Sequence, residues 1–242
     1  MRPILFVRAR RFRYGAKMNV RLLRYTEDAE LLCSAAAHSC YSKSTSGELI
    51  DSMDRETAER RLESVLSSGH HSVIEHASYT FSLEGISRVL THQLVRHRVA
   101  SYSQQSQRYV SMDKAEFVMP PKIREDDEAA KRFEVLMEEV WDAYKELSEK
   151  VPVEDARYVL PNACTTNITV TMNARELWHF FSLRCCNRAQ WEIREVADRM
   201  LEEVRKVCPI IFRRAGPPCV RGPCPEGKMT CGKPRKDELS KL

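Results

Sequence analysis

HASYTFSLEGISRVLTHQLVRHR, residues 76–98, carries the two periodicities from which the fold class is read. In its first half Ala77, Tyr79, Phe81 and Leu83 alternate with Ser78, Thr80 and Ser82. Successive side chains of a strand point to opposite faces, so this period of two predicts a half-buried β-strand. The second half changes period. At 100° per residue Ile86, Val89, Leu90 and Leu94 share one face, which predicts a helix. Gln93 and His97 fall in the middle of that face, with Arg96 at its edge. A buried polar group is costly unless hydrogen-bonded, so internal partners or a bound ligand must satisfy them.

The same pairing of strand and helix recurs. CTTNITVTMN (164–173) alternates as a strand, and NARELWHFFSLR follows with Asn173 and, three residues on, Glu176, the pattern of a capping box. On that helix Leu177, Trp178 and Phe181 mark the inner face, and Arg184 and Arg188 lie on the same side. Other helices are expected over 26–40, with Thr26 as cap, over 54–68, ending at Gly69, and over 190–207. From Asp126 to Lys150 a stripe from Ala129 through Phe133, Leu136, Met137, Val140, Trp141, Tyr144 and Leu147 keeps helical spacing and reads as a core or subunit-contact face. The segment after Arg98 reads as loop or extended chain. The class is α/β in the broad sense, mixed α+β, as a single domain with a sheet flanked by long helices. Residues 18–214 form that domain, between a basic arm (1–17) and a tail (215–242) holding four of the eight Gly and five of the eleven Pro.

The net charge of +5 is a property of the arm. Residues 1–17 contribute six positive charges and no acid, so the remainder stands at −1, and Met18 is a plausible start for the folded part. Nucleic-acid binding would have to rest on a local patch. No apolar run approaches the ~20 residues of a membrane span, and the arm lacks the apolar centre and small-residue cleavage site of a signal peptide. Nine cysteines, with no CxxC among them, predict a reduced, cytoplasmic protein. The terminal SKL and the internal KDEL (236–239) are discounted as short chance matches.

Chemistry concentrates in RHRVASYSQQSQRY (96–109). From Gly85 to Met112 there is no Asp or Glu, while Arg88, Arg96, Arg98 and Arg108 fall inside that span. Arginine suits planar, two-point grips on phosphate or on an amide-like ring edge, and Ser and Gln add neutral donors and acceptors. The set suits a nucleotide. Neither GxGxxG nor GxxxxGK[ST] is present, so a Rossmann site or a P-loop is not indicated. HHSVIEH (70–76) is one residue too long for H-x-x-E-H, and its residues would not share a helix face. No metal site is assigned there or to the tail cysteines.

RHRVASYSQQSQR (96–108) resembles the RHRxxSxxxxSxR signature of the flavin-dependent thymidylate synthases (the ThyX family), with Ser101, Ser106 and Arg108 in register. GHHSVIEH (69–76), ARYVLP (156–161) and MNARELWHFFSLRCCNRAQWE (172–192) are similar to that family's other blocks, in the same order. The resemblance implies conversion of dUMP to dTMP, with methylenetetrahydrofolate as carbon donor and NADPH supplying electrons through bound FAD. It also implies a homotetramer with active sites at subunit junctions. Carried over by motif, His70, Ser72, Arg96, His97, Arg98, Gln104, Asn173, Arg175 and His179 would contact FAD. Gln93, Arg96, Gln104, Gln105, Ser106, Arg108, Arg157 and Arg184 would contact dUMP. Arg184 would be catalytic, favouring ionisation at uracil N3 in place of an attacking cysteine. Ser106 has no activating base in view and is assigned to binding. Some relatives carry an acid where this chain has Gln104, and His where it has Arg188.

Two other classes use some of the same residues. A nucleic-acid module would employ the arginines, but few aromatics interleave with them. A metal-dependent nucleotide hydrolase would use His70, His71, Glu75 and His76.

Overall fold

In the computed structural model, which describes residues 17–110 and 116–235, β1 (Asn19–Tyr25) is followed by α1 (Ala29–Ser39), α2 (Ser46–Ser52) and α3 (Arg55–Ser67). Then come β2 (Ser78–Ser87), α4 (Arg88–Leu94) and β3 (Ala100–Gln104). The short α5 (Pro121–Arg124) precedes the 22-residue α6 (Asp127–Ser148) and the short α7 (Val153–Ala156). β4 (Thr165–Asn173), α8 (Ala174–Arg184), α9 (Trp191–Val207) and α10 (Pro209–Phe212) complete the strands and α-helices among the described residues. The mixed α+β class is borne out. Most of the basic arm, the terminal SKL and the internal KDEL lie outside the described residues.

The chain divides into two compact units. Of the described residues, the larger takes 19–83, 90–104 and 168–235; the smaller takes 17–18, 84–89, 105–110 and 116–167. The strands run in the order β1-β2-β4-β3, and β3 pairs antiparallel with β4, Tyr102 opposite Val170. The hydroxyls of Thr80 and Thr171 meet at 2.9 Å. Tyr79, Phe81 and Leu83 are fully buried, as the alternation of β2 requires.

In the smaller unit the apolar stripe of α6 buries Met137, Trp141 and Tyr144 in a cluster with Phe117, Ala156 and Cys164. Asp126 caps α6 by accepting from the Ala129 amide at 2.9 Å. Leu136, counted in the stripe, is 41% exposed.

Four local expectations are corrected. Thr26 does not cap α1. Its hydroxyl accepts from the Ser78 amide and its own amide donates to the Ser78 carbonyl, both at 3.0 Å, so it ties the chain after β1 to β2. The position before α1 is held by Asp28 in a left-handed conformation (φ 46°). Secondly, β2 runs on to Ser87, so the helix after it starts later than its periodicity suggests and has seven residues. The change of phase turns Val89 outward while Leu90, Thr91 and Leu94 stay inside. Thirdly, His97 lies beyond the end of α4. The Tyr102 hydroxyl sits 2.8 Å from the carbonyl oxygens of both Leu94 and His97, an external partner of the kind a helix end needs. Fourthly, α8 ends at Arg184, so Arg188 is not on its inner face.

Candidate active site

β4 delivers the chain to α8 through Asn173, whose side chain accepts from the Glu176 amide at 2.9 Å. That is one half of the capping box. The other half is missing because the Glu176 carboxylate turns away from the helix start and meets the His97 ring, with Nδ1 2.9 Å from Oε1. Both residues are buried, His97 at 4% and Glu176 at 8% exposure. On the other side of the ring, Arg184 donates from Nε to His97 Nε2 at 3.1 Å. An arginine N–H can only donate, so Nε2 holds a lone pair and the ring proton sits on Nδ1, facing the carboxylate. Arg184 also reaches the Gln93 carbonyl through Nη2 at 3.4 Å.

Burial pushes the basicity of His97 below the ordinary imidazole value, Glu176 opposes that shift, and the charge of Arg184 reinforces it. The neutral ring is therefore the folded form. Its contribution to stability is present above the ordinary value of about 6.5 and is lost as pH falls below it, because the unfolded chain then binds a proton that the buried ring resists. Arg184 too is held below its usual range, first by burial and then by Arg96. At that level it keeps its charge. The charges of two arginines thus act on each other, while the nearby carboxylate of Glu176 is engaged with His97 and not with either of them.

Of the other expected site residues of the larger unit, His179 stands beside this core. His179 stands 5.7 Å from His97, ring to ring, and Phe180 meets it edge-on at 5.0 Å. Gln104 donates to the Thr91 hydroxyl at 3.3 Å. Arg175 is exposed and paired with Glu75, which withdraws both from a free role in this state. His70, Ser72, Arg96 and Arg98 are exposed, and their side chains have no hydrogen-bond or ion-pair partner among the described residues. Gln105, Ser106, Arg108 and Arg157 belong to the smaller unit. There Arg108 pairs with Glu154 at 2.9 Å, its amide donates to the Ser106 hydroxyl at 3.2 Å, and Arg157 donates to the Glu154 carbonyl at 3.0 Å.

A cavity of about 800 Å³ opens beside this core, lined by His179, Arg184 and Cys186 and by tail residues between Pro217 and Arg235. The tail is pinned there. Arg235 donates to the Cys185 carbonyl at 2.6 Å and to Asp198 at 2.8 Å, and Arg188 pairs with Glu226 at 2.6 Å. Two features escaped the sequence reading. Glu176 was legible only as a capping residue, although it stands three and four residues before His179 and Phe180, on the same helix face. The tail, read as irregular and without function, supplies one wall of the cavity, and its composition carried no sign of that.

The HHSVIEH stretch forms a turn (His71–His76) in which His71 packs 4.8 Å from Trp178 and Glu75 faces Arg175. Among the described residues, only His97, Glu176 and His179 bring three metal-ligating atoms within 4.8 Å of one another. No helix of the described residues is long and apolar enough to cross a membrane, and all nine cysteines are free thiols.

A family model described as "Thymidylate synthase complementing protein" matches residues 21–210. The flavin-dependent thymidylate synthase of Geobacter sulfurreducens is 53% identical over 219 residues, covering 89% of this chain and 94% of that protein. The protein of the same name from Clostridium tetani is 48% identical over 233 residues, covering 89% and 94%. In structure, the UMP/dUMP methylase PolB of Streptomyces cacaoi, solved with 5-Br dUMP, superposes with a TM-score of 0.72 at 24% identity, covering 83% of this chain and 95% of that one.

Proposed function

The chain belongs to the flavin-dependent thymidylate synthase family, and on that premise we propose that it converts dUMP to dTMP using bound FAD, with 5,10-methylenetetrahydrofolate as carbon donor and NADPH as reductant. The observation that carries this is the half-buried Arg184, which lines a cavity of about 800 Å³, feels the charge of Arg96, and is held by a neutral histidine instead of a carboxylate.

The unpartnered donors fit a flavin dinucleotide. Arg96 and Arg98 offer planar guanidinium groups for its pyrophosphate, and His70, Ser72 and His179 offer further polar atoms from the same unit, while Asn173 and Arg175, engaged here with the Glu176 amide and Glu75, would have to exchange those partners for the flavin. When bound, the flavin supplies the hydride; the protein supplies position and field. Gln93, Gln104, Gln105, Ser106, Arg108 and Arg157 are assigned to dUMP. The role of Arg184 follows from its charge. A guanidinium fixed near uracil N3 stabilises negative charge on the ring, which raises electron density at C5 and makes that carbon the nucleophile. No thiol has to add to the ring first.

The thiols agree with that role. Burial raises Cys33 and Cys164 to about 12, and raises Cys185 well above its ordinary value. Cys186, two residues past the end of α8, lines the cavity with Arg184, as do Cys219, Cys224 and Cys231 of the tail. Cys186→Ser is therefore expected to keep turnover within about fivefold of the parent, the scale of one lost ordinary contact. Loss of all activity in that variant, with flavin still bound, would point to a thiol nucleophile.

Exposed, unpartnered Arg96 and Arg98 also agree with a site completed by a second subunit, and we assign the active form as a homotetramer, testable by light scattering. The function itself is tested on protein incubated with FAD and desalted. A retained flavin spectrum that bleaches with NADPH under anaerobic conditions, followed by dTMP formation once dUMP and the folate are added, is the expected result. A colourless protein that retains no flavin would overturn the assignment.

A further inference from the structure

We propose that Glu176 is a positioning residue for Arg184: its carboxylate fixes the His97 ring with the proton on Nδ1, and the lone pair this leaves on Nε2 holds the guanidinium in place. The inference rests on the role given to Arg184 above but concerns a residue to which the family resemblance assigned nothing.

The geometry is a chain of three groups, each able to play only one part. Glu176 Oε1 accepts at 2.9 Å, His97 donates on one side and accepts on the other, and Arg184 Nε donates at 3.1 Å. Every link is anchored. Asn173 caps α8 without help from the Glu176 side chain, which leaves the carboxylate free for His97. The His97 ring is packed against Phe180, and its carbonyl lies 2.8 Å from the Tyr102 hydroxyl. Glu176 and Arg184 sit at opposite ends of the same helix, so the ring spans the gap between them.

A neutral ring in the middle has a chemical consequence. A carboxylate bonded directly to Arg184 would neutralise much of the charge that the substrate needs. Through the imidazole, Glu176 transmits orientation and polarisation while its own charge stays one ring further away. Held on Nε2, the guanidinium loses little rotamer freedom when a ligand arrives, which is the usual advantage of a preorganised group.

Acid should break the chain at its centre. A proton on Nε2 removes the lone pair and sets an imidazolium against Arg184. The charged groups facing His97 are Glu176, which favours that proton, and Arg184 and His179, which oppose it together with burial; the charge of Arg96 acts on Arg184. Glu176→Gln keeps an oxygen to accept from Nδ1 but removes the negative charge, so the acid limb of the rate profile should move to lower pH. Glu176→Ala removes the acceptor, and the ring is then free to put its proton on Nε2 and release Arg184.

His97, Glu176 and His179 could also be read as ligands of a divalent cation. Both His97 nitrogens are already engaged, so a cation would have to displace one of these bonds.

The test uses the full-length flavin-loaded protein, its Glu176→Gln and Glu176→Ala variants, and the latter combined with Arg184→Ala. Imidazole nitrogen shifts measured by NMR should place the His97 proton on Nδ1 in the parent and in Glu176→Gln, without any substrate. Glu176→Gln should keep kcat within about fivefold, with its acid limb displaced downward. Glu176→Ala should lose kcat by about 10²-fold, the scale of a misplaced catalytic group, and should cost nothing further once Arg184 is already alanine. A parent ring protonated on Nε2, an unmoved acid limb, additive losses in the double variant, or stoichiometric zinc lost together with activity on chelation would each overturn the proposal. Because the nitrogen shifts need no turnover, a parent enzyme that failed to make dTMP would count against the proposed function and leave the His97 result to be read alone.

Discussion

Arg184→Ala is expected to lower dUMP methylation by about 10²–10³-fold, the usual loss when one preorganised charge-stabilising donor is removed, while flavin remains bound. The two halves of that outcome have different sources. In the proposed site the flavin is gripped by Arg96, Arg98 and other donors that alanine at position 184 leaves in place. The same proposal assigns the charge developing on the uracil ring to Arg184. Because that interaction is made mainly as the ring becomes anionic, kcat should fall with kcat/KM instead of KM rising alone. Normal turnover in this variant would remove the account of uracil activation. Loss of the flavin spectrum would instead show that Arg184 is part of the cofactor grip.

The second large effect is on stability. Phe181→Ala should cost about 3–5 kcal/mol, the range for a fully buried aromatic cut back to a methyl group. Phe181 is completely buried on α8, with Phe180 at 5.8 Å and Phe212 at 6.0 Å, and Phe212 in turn meets Tyr79 of β2 at 5.3 Å. These rings lock the helix that carries Glu176, His179 and Arg184 against the strand beneath it. A whole domain is stabilised by only about 5–15 kcal/mol, so the variant should unfold at a much lower urea concentration with an unchanged slope. A shift worth less than about 1 kcal/mol, the centre of the range for substitutions in general, would mean that the ring cluster is not what holds α8.

Both experiments depend on α8, and α8 shows where sequence and structure each have authority. Its existence, its Asn173 cap and the strand before it were legible, since capping and side-chain periodicity are local properties of the chain. The mixed α+β class and the buried alternation of Tyr79, Phe81 and Leu83 were legible on the same grounds. So were Arg184 and His97 as polar residues out of keeping with apolar surroundings.

Tertiary structure decided what local rules could not. β2 overran its expected end and rephased α4, so Val89 faces outward and His97 lies past the helix, where the Tyr102 hydroxyl from β3 meets its carbonyl. Thr26 bonds to Ser78, fifty-two residues away, instead of opening its own helix. Glu176 bonds across seventy-nine residues to His97 in preference to the helix start three residues behind it. Thr26 and Glu176 each took a long-range partner in place of a local one, and for the buried Glu176 burial decided the outcome, because an unsatisfied group costs more inside the fold than at a solvated helix end. Amino-acid order determined which helices and strands were available and which residues bore the chemistry; the choice of partner for each buried donor and acceptor belonged to the folded chain.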